Sequence, residues 1–320
     1  MEGTRSTRDA YGEVLVSLGV ENPKIVVVDA DVSKATRTSL FARQFPERFF
    51  NVGVAEQNLM GVAAGLSLTG LIPIASTFAV FATGRAFDQV RNTIAYGNCN
   101  VKIVATHGGI TVGEDGASHQ SIEDIALMRV LPNMKVIVPA DAFEVEKALR
   151  AAVRIYGPVY IRLGRVPVPT VTSKCSHFEI GRANVLRDGS DLAILATGIM
   201  VSESLKAAEI LSSEGVESAV INVHTIKPLD RETVLETAKR CGALITAEEH
   251  SIVGGLGSAV AELLSTECWV ALGMVGVKDT FGESGSPKEL MKKYGITAGD
   301  IVEKAKEVLN KKKTGRAVCR

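Results

Sequence analysis

The sequence predicts an α/β protein of two domains, a doubly wound parallel-sheet domain followed by a smaller α/β domain. Three observations carry this expectation. Short β-branched runs such as Lys24-Ile25-Val26-Val27-Val28-Asp29 lack polar alternation, the mark of strands buried on both faces of a parallel sheet. These runs alternate with helix-length segments, the rhythm of strand–helix–strand crossovers. A chain of 320 residues is also too long for one typical core. Its 30 glycines and 46% hydrophobic content suit an enzyme with many tight strand-to-helix turns.

In chain order, residues 7–18 read as a helix with an apolar stripe of Ala10, Val14, Leu15 and Leu18. The strand at 24–29 runs out into Asp29-Ala30-Asp31-Val32-Ser33. Ligands in open α/β sheets gather beyond strand carboxyl ends, so Asp31 is a candidate binding residue, or else a helix cap. A short strand at 48–52 leads to Asn51-Val52-Gly53-Val54-Ala55-Glu56-Gln57-Asn58. The helix at 59–66 has small residues throughout and is apolar nearly all round, so it is expected to be buried closely against another helix. A strand at 71–75 follows. Phe78 and Phe81 then stand at i, i+3 on one helical side just past that strand's end, before a helix through Arg85, Asp88 and Arg91. The strand at 101–105 ends in a glycine-rich loop, 106–120. Segments 135–138, 142–153 and 159–163 continue the alternation. The run Val166-Pro167-Val168-Pro169-Thr170, with its polar continuation to Lys174, marks the passage between domains. We place the first domain at 1–170, a linker at 171–187 and the second domain at 188–315. Strands are expected there at 192–196, 218–221, 243–247 and 269–275. Strand-end loops carry Glu248-Glu249-His250 and residues 279–285. The lysines of 311–314 read as a frayed, solvated end.

Bulk properties exclude several classes. The 36 basic and 36 acidic residues cancel, so no global basic field points to nucleic acid or membrane. No apolar run is long enough to span a bilayer, and the first residues carry no secretory apolar core. The five cysteines (Cys99, Cys175, Cys241, Cys268, Cys319) are odd in number and scattered. They read as reduced thiols of a cytoplasmic protein rather than a disulfide frame or a zinc site.

Two stretches carry the chemistry. Glu56 opens a helix, where a carboxylate ordinarily complements the helix dipole. Val52, Val54, Leu59, Met60 and Val62 surround it in sequence, so it is expected to be partly desolvated and suited to sharing a proton with a heterocyclic nitrogen. The second stretch is Thr106-His107-Gly108-Gly109-Ile110-Thr111-Val112-Gly113-Glu114-Asp115-Gly116-Ala117-Ser118-His119-Gln120. Its glycines allow positive φ and close backbone approach to a ligand. His107 and His119 lie on one irregular loop that can fold back to bring both imidazoles to one pocket, with Glu114 and Asp115 nearby. Metal ligation is disfavoured, because HxxxH spacing and a nearby cysteine are both absent. Polar recognition with proton transfer is the better reading. Phe78 and Phe81 are either core filling or a flat slot for a ring. Arg8, Arg162 and Arg165 are candidates for clamping a phosphate. Gly254-Gly255-Leu256-Gly257 is a weak nucleotide signal, and no Walker A motif or Gly-x-Ser-x-Gly elbow appears.

Together these residues resemble the C-terminal half of transketolase over nearly the whole chain. Gly113-Glu114-Asp115-Gly116-Ala117-Ser118-His119-Gln120 is close to that family's GEDGPTHQ, with Ala-Ser for Pro-Thr. The resemblance implies that Glu56 activates the aminopyrimidine of thiamine diphosphate and that Phe78 and Phe81 hold that ring. Asp31 matches an acidic residue near the cofactor. A third family aromatic is Gly84 here. It further implies that His107 and His119 assist proton transfers, that Asp115 selects substrate hydroxyls, and that Arg8 and Arg165 grip a sugar phosphate. Phe281-Gly282-Glu283-Ser284 resembles a segment of the family's last domain. The family's Gly-Asp-Gly motif for the diphosphate and its magnesium is not found; Asp188-Gly189-Ser190-Asp191 is a polar turn. The resemblance therefore implies a ketol transferase of the pentose phosphate pathway. It would work in the cytoplasm as two copies each of this chain and a partner that holds the diphosphate and most of the Mg2+ contacts, and be inactive alone. The competing readings are the beta subunit of a 2-oxo acid dehydrogenase's decarboxylating component, a 1-deoxyxylulose-5-phosphate synthase-like fragment, and a non-catalytic regulator.

Overall fold

The structure is a computed structural model that describes residues 3–314 and 318–319. The first domain contributes β1 (Thr4–Ser6), β2 (Ile25–Asp29), β3 (Phe49–Asn51), β4 (Ile72–Phe78), β5 (Lys102–Thr106), β6 (Lys135–Ile137), β7 (Val159–Arg162) and β8 (Pro167–Pro169). The second contributes β9 (Asn184–Arg187), a strand within the stretch expected as linker, then β10 (Leu192–Ala196), β11 (Ser218–Asn222), β12 (Thr225–Lys227), β13 (Ala243–Ser251), β14 (Cys268–Trp269), β15 (Ala271–Val277) and β16 (Val318–Cys319). The larger sheet has the order β12-β6-β7-β5-β4-β2-β3 and is parallel except for β12. The smaller has the order β15-β13-β10-β11-β9, with only β9 antiparallel. The α/β class is as expected.

Apolar runs became central strands for the expected reason. Every residue of β2, β5, β10 and β11 is buried, so helices cover both faces. The chain leaves β2 for β3 on one side and returns to β4 on the other. That reversal opens a crevice beyond the carboxyl ends of β2 and β4, where ligands of such sheets bind.

Several expectations are corrected. Pro167–Pro169 is not free linker but pairs antiparallel with Thr4–Ser6; proline suits such an edge strand because it lacks the N–H a central ladder needs. Strand β4 runs three residues past 75, so Phe78 ends a strand and Phe81 opens a wide-wound π-helical stretch, Phe81–Arg85. The helix Glu56–Leu68 buries Leu59, Met60, Ala63 and Ala64, yet leaves Gly61, Gly65 and Leu68 exposed, so it is not buried all round. Glu248-Glu249-His250 lies inside β13 rather than in a loop. The lysines of 311–314 continue the helix Ala298–Thr314, and Lys312 Nζ donates to Asp191 O at 2.9 Å. Cys268 is disulfide-bonded, against the reading of five reduced thiols. Its backbone register partner is Cys319, 51 positions away by the pairing of β14 with β16, a juxtaposition that no short-range spacing announces.

The two domains are interlocked. Strand β12 of the second domain adds to the first domain's sheet beside β6, and one apolar cluster includes Val28, Ile103 and Val136 together with Leu195, Ile221 and Leu244. Among the described residues no helix is long and apolar enough to cross a membrane.

Candidate active site

Glu56 is the first residue of its helix and is among the residues that helix buries. Its carboxylate is buried at 3% exposure, and Arg85 Nη1 stands 3.3 Å from Oε2. The Arg85 guanidinium also lies over the Phe81 ring, 4.7 Å from its centroid, a favourable cation–π geometry. Phe81 in turn stacks with Phe78, centroids 5.9 Å apart and planes inclined at 18°. At Gly84 an added Cβ would meet nothing within 4 Å, so the wall where the resemblance calls for a third aromatic is open space.

The histidine loop joins this row because β4 and β5 are neighbours, with Phe78 in register with Thr106. His107, at φ 60°, turns its ring face to face onto Phe78 at 3.8 Å. Thr106 Oγ1 and His107 Nδ1 share a hydrogen bond of 2.8 Å. Burial above all, then the nearby positive charges of Arg8 and Arg165 and the ring of His119, pushes His107 down to about 3. It is neutral at physiological pH. His119 is half-buried and sets its ring edge-on to Phe81 at 5.3 Å and to Phe78 at 6.3 Å. The fold-back expected of the loop is thus observed, and both imidazoles meet the aromatic pair.

The loop glycines serve a purpose the sequence reading missed. A Cβ on Gly108 would meet the Arg162 side chain at 2.7 Å, one on Gly109 the Glu249 carboxyl at 2.2 Å, and one on Gly116 Ser284 Oγ at 2.5 Å. Close approach is their role, but what approaches is protein. Arg162 is accordingly no phosphate clamp. It is buried and ion-paired to Asp124 at 2.8 Å, and it donates to Ser121 O and Glu249 O at 3.1 and 2.8 Å.

Arg8 and Arg165 remain near the rings. Arg8 Nη1 donates to Ala35 O at 3.3 Å, while its buried Nε has no partner; such a donor is suited to an anion. Arg165 Nη1 donates to Val112 O and lies 3.5 Å from Glu114 and 3.4 Å from Asp115. Asp115 is therefore placed against Arg165 at the loop's exposed edge. Asp31, at φ 63°, is exposed beyond β2 and accepts from Asn51 Nδ2 at 2.8 Å; its described hydrogen bond is to Asn51, not to the ring cluster. Sequence reasoning missed Arg85 as a partner of Glu56, and nothing in a helical Arg signals a π-wound turn. Among the described residues no group of three or more His, Cys, Asp or Glu is arranged to hold a metal ion.

The chain is similar to known proteins over nearly its whole length. The family models for the transketolase pyrimidine-binding domain and the transketolase C-terminal domain match residues 4–170 and 181–301. A "putative transketolase C-terminal section" of Methanocaldococcus jannaschii is 47% identical, over 96% of this chain and 97% of its own length. A "6-deoxy-6-sulfo-D-fructose transketolase subunit" of a Clostridium species is 46% identical over 95% of each chain. Among solved structures, a "split gene transketolase, inactive beta4 tetramer" has 58% identity and a TM-score of 0.90, covering 95% of this chain and 98% of that one.

Proposed function

The chain belongs to the transketolase family, and we propose that it is the C-terminal subunit of a split transketolase. It would transfer a two-carbon ketol unit from a ketose phosphate to an aldose phosphate. The observation that carries the reading is one connected cluster: buried Glu56 pairs with Arg85, Arg85 lies over Phe81, Phe81 stacks with Phe78, His107 stacks on Phe78, and His119 stands edge-on to both rings.

The family is dependent on thiamine diphosphate, and these residues fit its aminopyrimidine end. Phe78 and Phe81 are stacked, the position of Gly84 is open, and a buried acid lies within reach of the same pocket. When bound, the cofactor supplies carbanion chemistry that protein side chains cannot. This chain's own residues do the rest. Glu56 holds or releases a proton at the edge of the ring slot. His107, neutral in the fold, accepts a hydrogen bond or proton from a substrate hydroxyl, and His119, edge-on to both rings, assists. Arg8 and Arg165 bind the terminal phosphate, and Asp115 beside Arg165 orients hydroxyls, so that remote binding energy positions the reacting end. Asp31, exposed beyond β2, would be on the cofactor's side in this reading.

The diphosphate and its Mg2+ belong to a partner subunit in this reading, assembled in the cytoplasm with two copies of each chain. Support comes from relatives that are themselves named as a section or a subunit and match this chain nearly end to end. The deciding assay mixes this chain with a candidate diphosphate-binding partner, thiamine diphosphate and Mg2+. Xylulose 5-phosphate with ribose 5-phosphate is then compared against pyruvate. Turnover of the pentose phosphates supports the proposal, and turnover only of pyruvate refutes it.

A further inference from the structure

Among the second domain's contacts with the histidine loop, one is a carboxylate that accepts from the loop's backbone. Glu249, at 4% exposure within β13, accepts from the Thr111 amide at 2.7 Å. Thr111 lies in the tight turn Ile110–Asp115, four residues after His107 and eight before His119. Gly109, at φ 88°, lets this happen, since any Cβ there would occupy the space of the Glu249 carboxyl. Arg162 ties the same strand to the loop's exit, donating to both Glu249 O and Ser121 O. Gln120 adds a third pin, reaching Glu283 O at 2.8 Å. At its feet the loop closes on itself through Gly109 N to Ser121 O at 2.7 Å. The loop from His107 to Gln120 is thus held both by its own hydrogen bonds, Gln120 Nε2 to Ile110 O among them, and by the neighbouring domain.

We propose that Glu249 is a positioning residue, the group through which the second domain sets where His107 and His119 stand. It touches no reacting atom; it holds the turn from which both imidazoles are hung. This rests on the ketol-transfer reading for its kinetic consequence, but the structural half stands alone.

Adjacent Glu248 supplies the control. It too is buried, but it faces its own domain and accepts from Leu256 N and Gly257 N at 2.7 and 2.8 Å, capping the helix Leu256–Glu267. Both glutamates should cost stability when truncated. Only one should move the loop.

The test compares E249A, E249Q and E248A in the full chain. In the reconstituted pair, E249A should lower kcat about 100-fold, the scale expected of a roughly 1 Å misplacement. Cofactor affinity should stay near wild type, because Glu56, Phe78 and Phe81 are on other elements. E249Q keeps an oxygen for the Thr111 amide and should recover most of the loss. E248A should leave kcat per folded molecule within about threefold of wild type. Independently of activity, hydrogen exchange across residues 107–120 of the isolated chain should accelerate about tenfold or more in E249A and not in E248A. If E249A does not fold, E249Q against E248A carries the same exchange comparison, with a smaller acceleration expected in E249Q alone. Equal exchange in the variants of both glutamates overturns the proposal, as does an equal kcat loss. A wild-type pair without ketol transfer refutes the functional reading instead, and the exchange data still decide the role of Glu249.

Discussion

The imidazole of His107 lies face to face on the ring of Phe78, with centroids 3.8 Å apart and planes inclined at 25°. The contact joins the end of β4 to the histidine loop that leaves β5. Whatever ring the Phe78–Phe81 slot holds is therefore one side chain away from the first histidine.

Glu56 should be required for chemistry and dispensable for folding. E56A removes the only carboxylate described in contact with Arg85, and general acid–base groups contribute about 10²- to 10⁴-fold. We expect a kcat loss in that range for the reconstituted enzyme, with little change in thermal unfolding of the isolated chain.

His107 should make the fold sensitive to acid. Its folded value of about 3 is below the ordinary 6.5, so the unfolded chain binds more protons between those limits. Stability then rises with pH across that window and falls as pH drops below about 6.5. H107Q should lose less stability than wild type between pH 7 and pH 5, as measured by urea unfolding. His224, held down to about 4 by burial, retains its own share of the effect in both proteins.

Two glycines should respond oppositely to alanine. At Gly109 the positive φ and the Glu249 carboxyl both oppose a side chain, and G109A should cost at least about 2 kcal/mol. Gly84 is helical with open space around it, and G84A should stabilise by about 0.5–1 kcal/mol. Chemical denaturation of the isolated chain measures both.

The Arg162–Asp124 pair should be costly to break. Both side chains are buried and 2.8 Å apart, and removing one partner strands the other charge. D124A should destabilise by about 3–5 kcal/mol.

Much of this site was legible in the residues themselves. Unalternating β-branched runs identified the buried strands, and the order of motifs after strand ends placed Glu56, Phe78, His107 and His119 near one crevice. What stayed hidden depends on distant partners. Arg162 looked like a phosphate ligand until Asp124 and β13 closed on it. The loop glycines looked like a ligand cradle, but their neighbours Glu249 and Ser284 lie more than 130 residues away. Cys268 gave no local sign of a disulfide, and the π-winding that turns Arg85 toward Glu56 has no sequence signature.

The central claim is that this chain holds one half of a transketolase site. It is tested most directly by measuring ketol transfer from xylulose 5-phosphate to ribose 5-phosphate with this chain alone, a diphosphate-binding partner alone, and the two mixed, each with thiamine diphosphate and Mg2+. We predict turnover only in the mixture, saturating at equal amounts of the two chains. Full turnover by this chain alone would contradict the account.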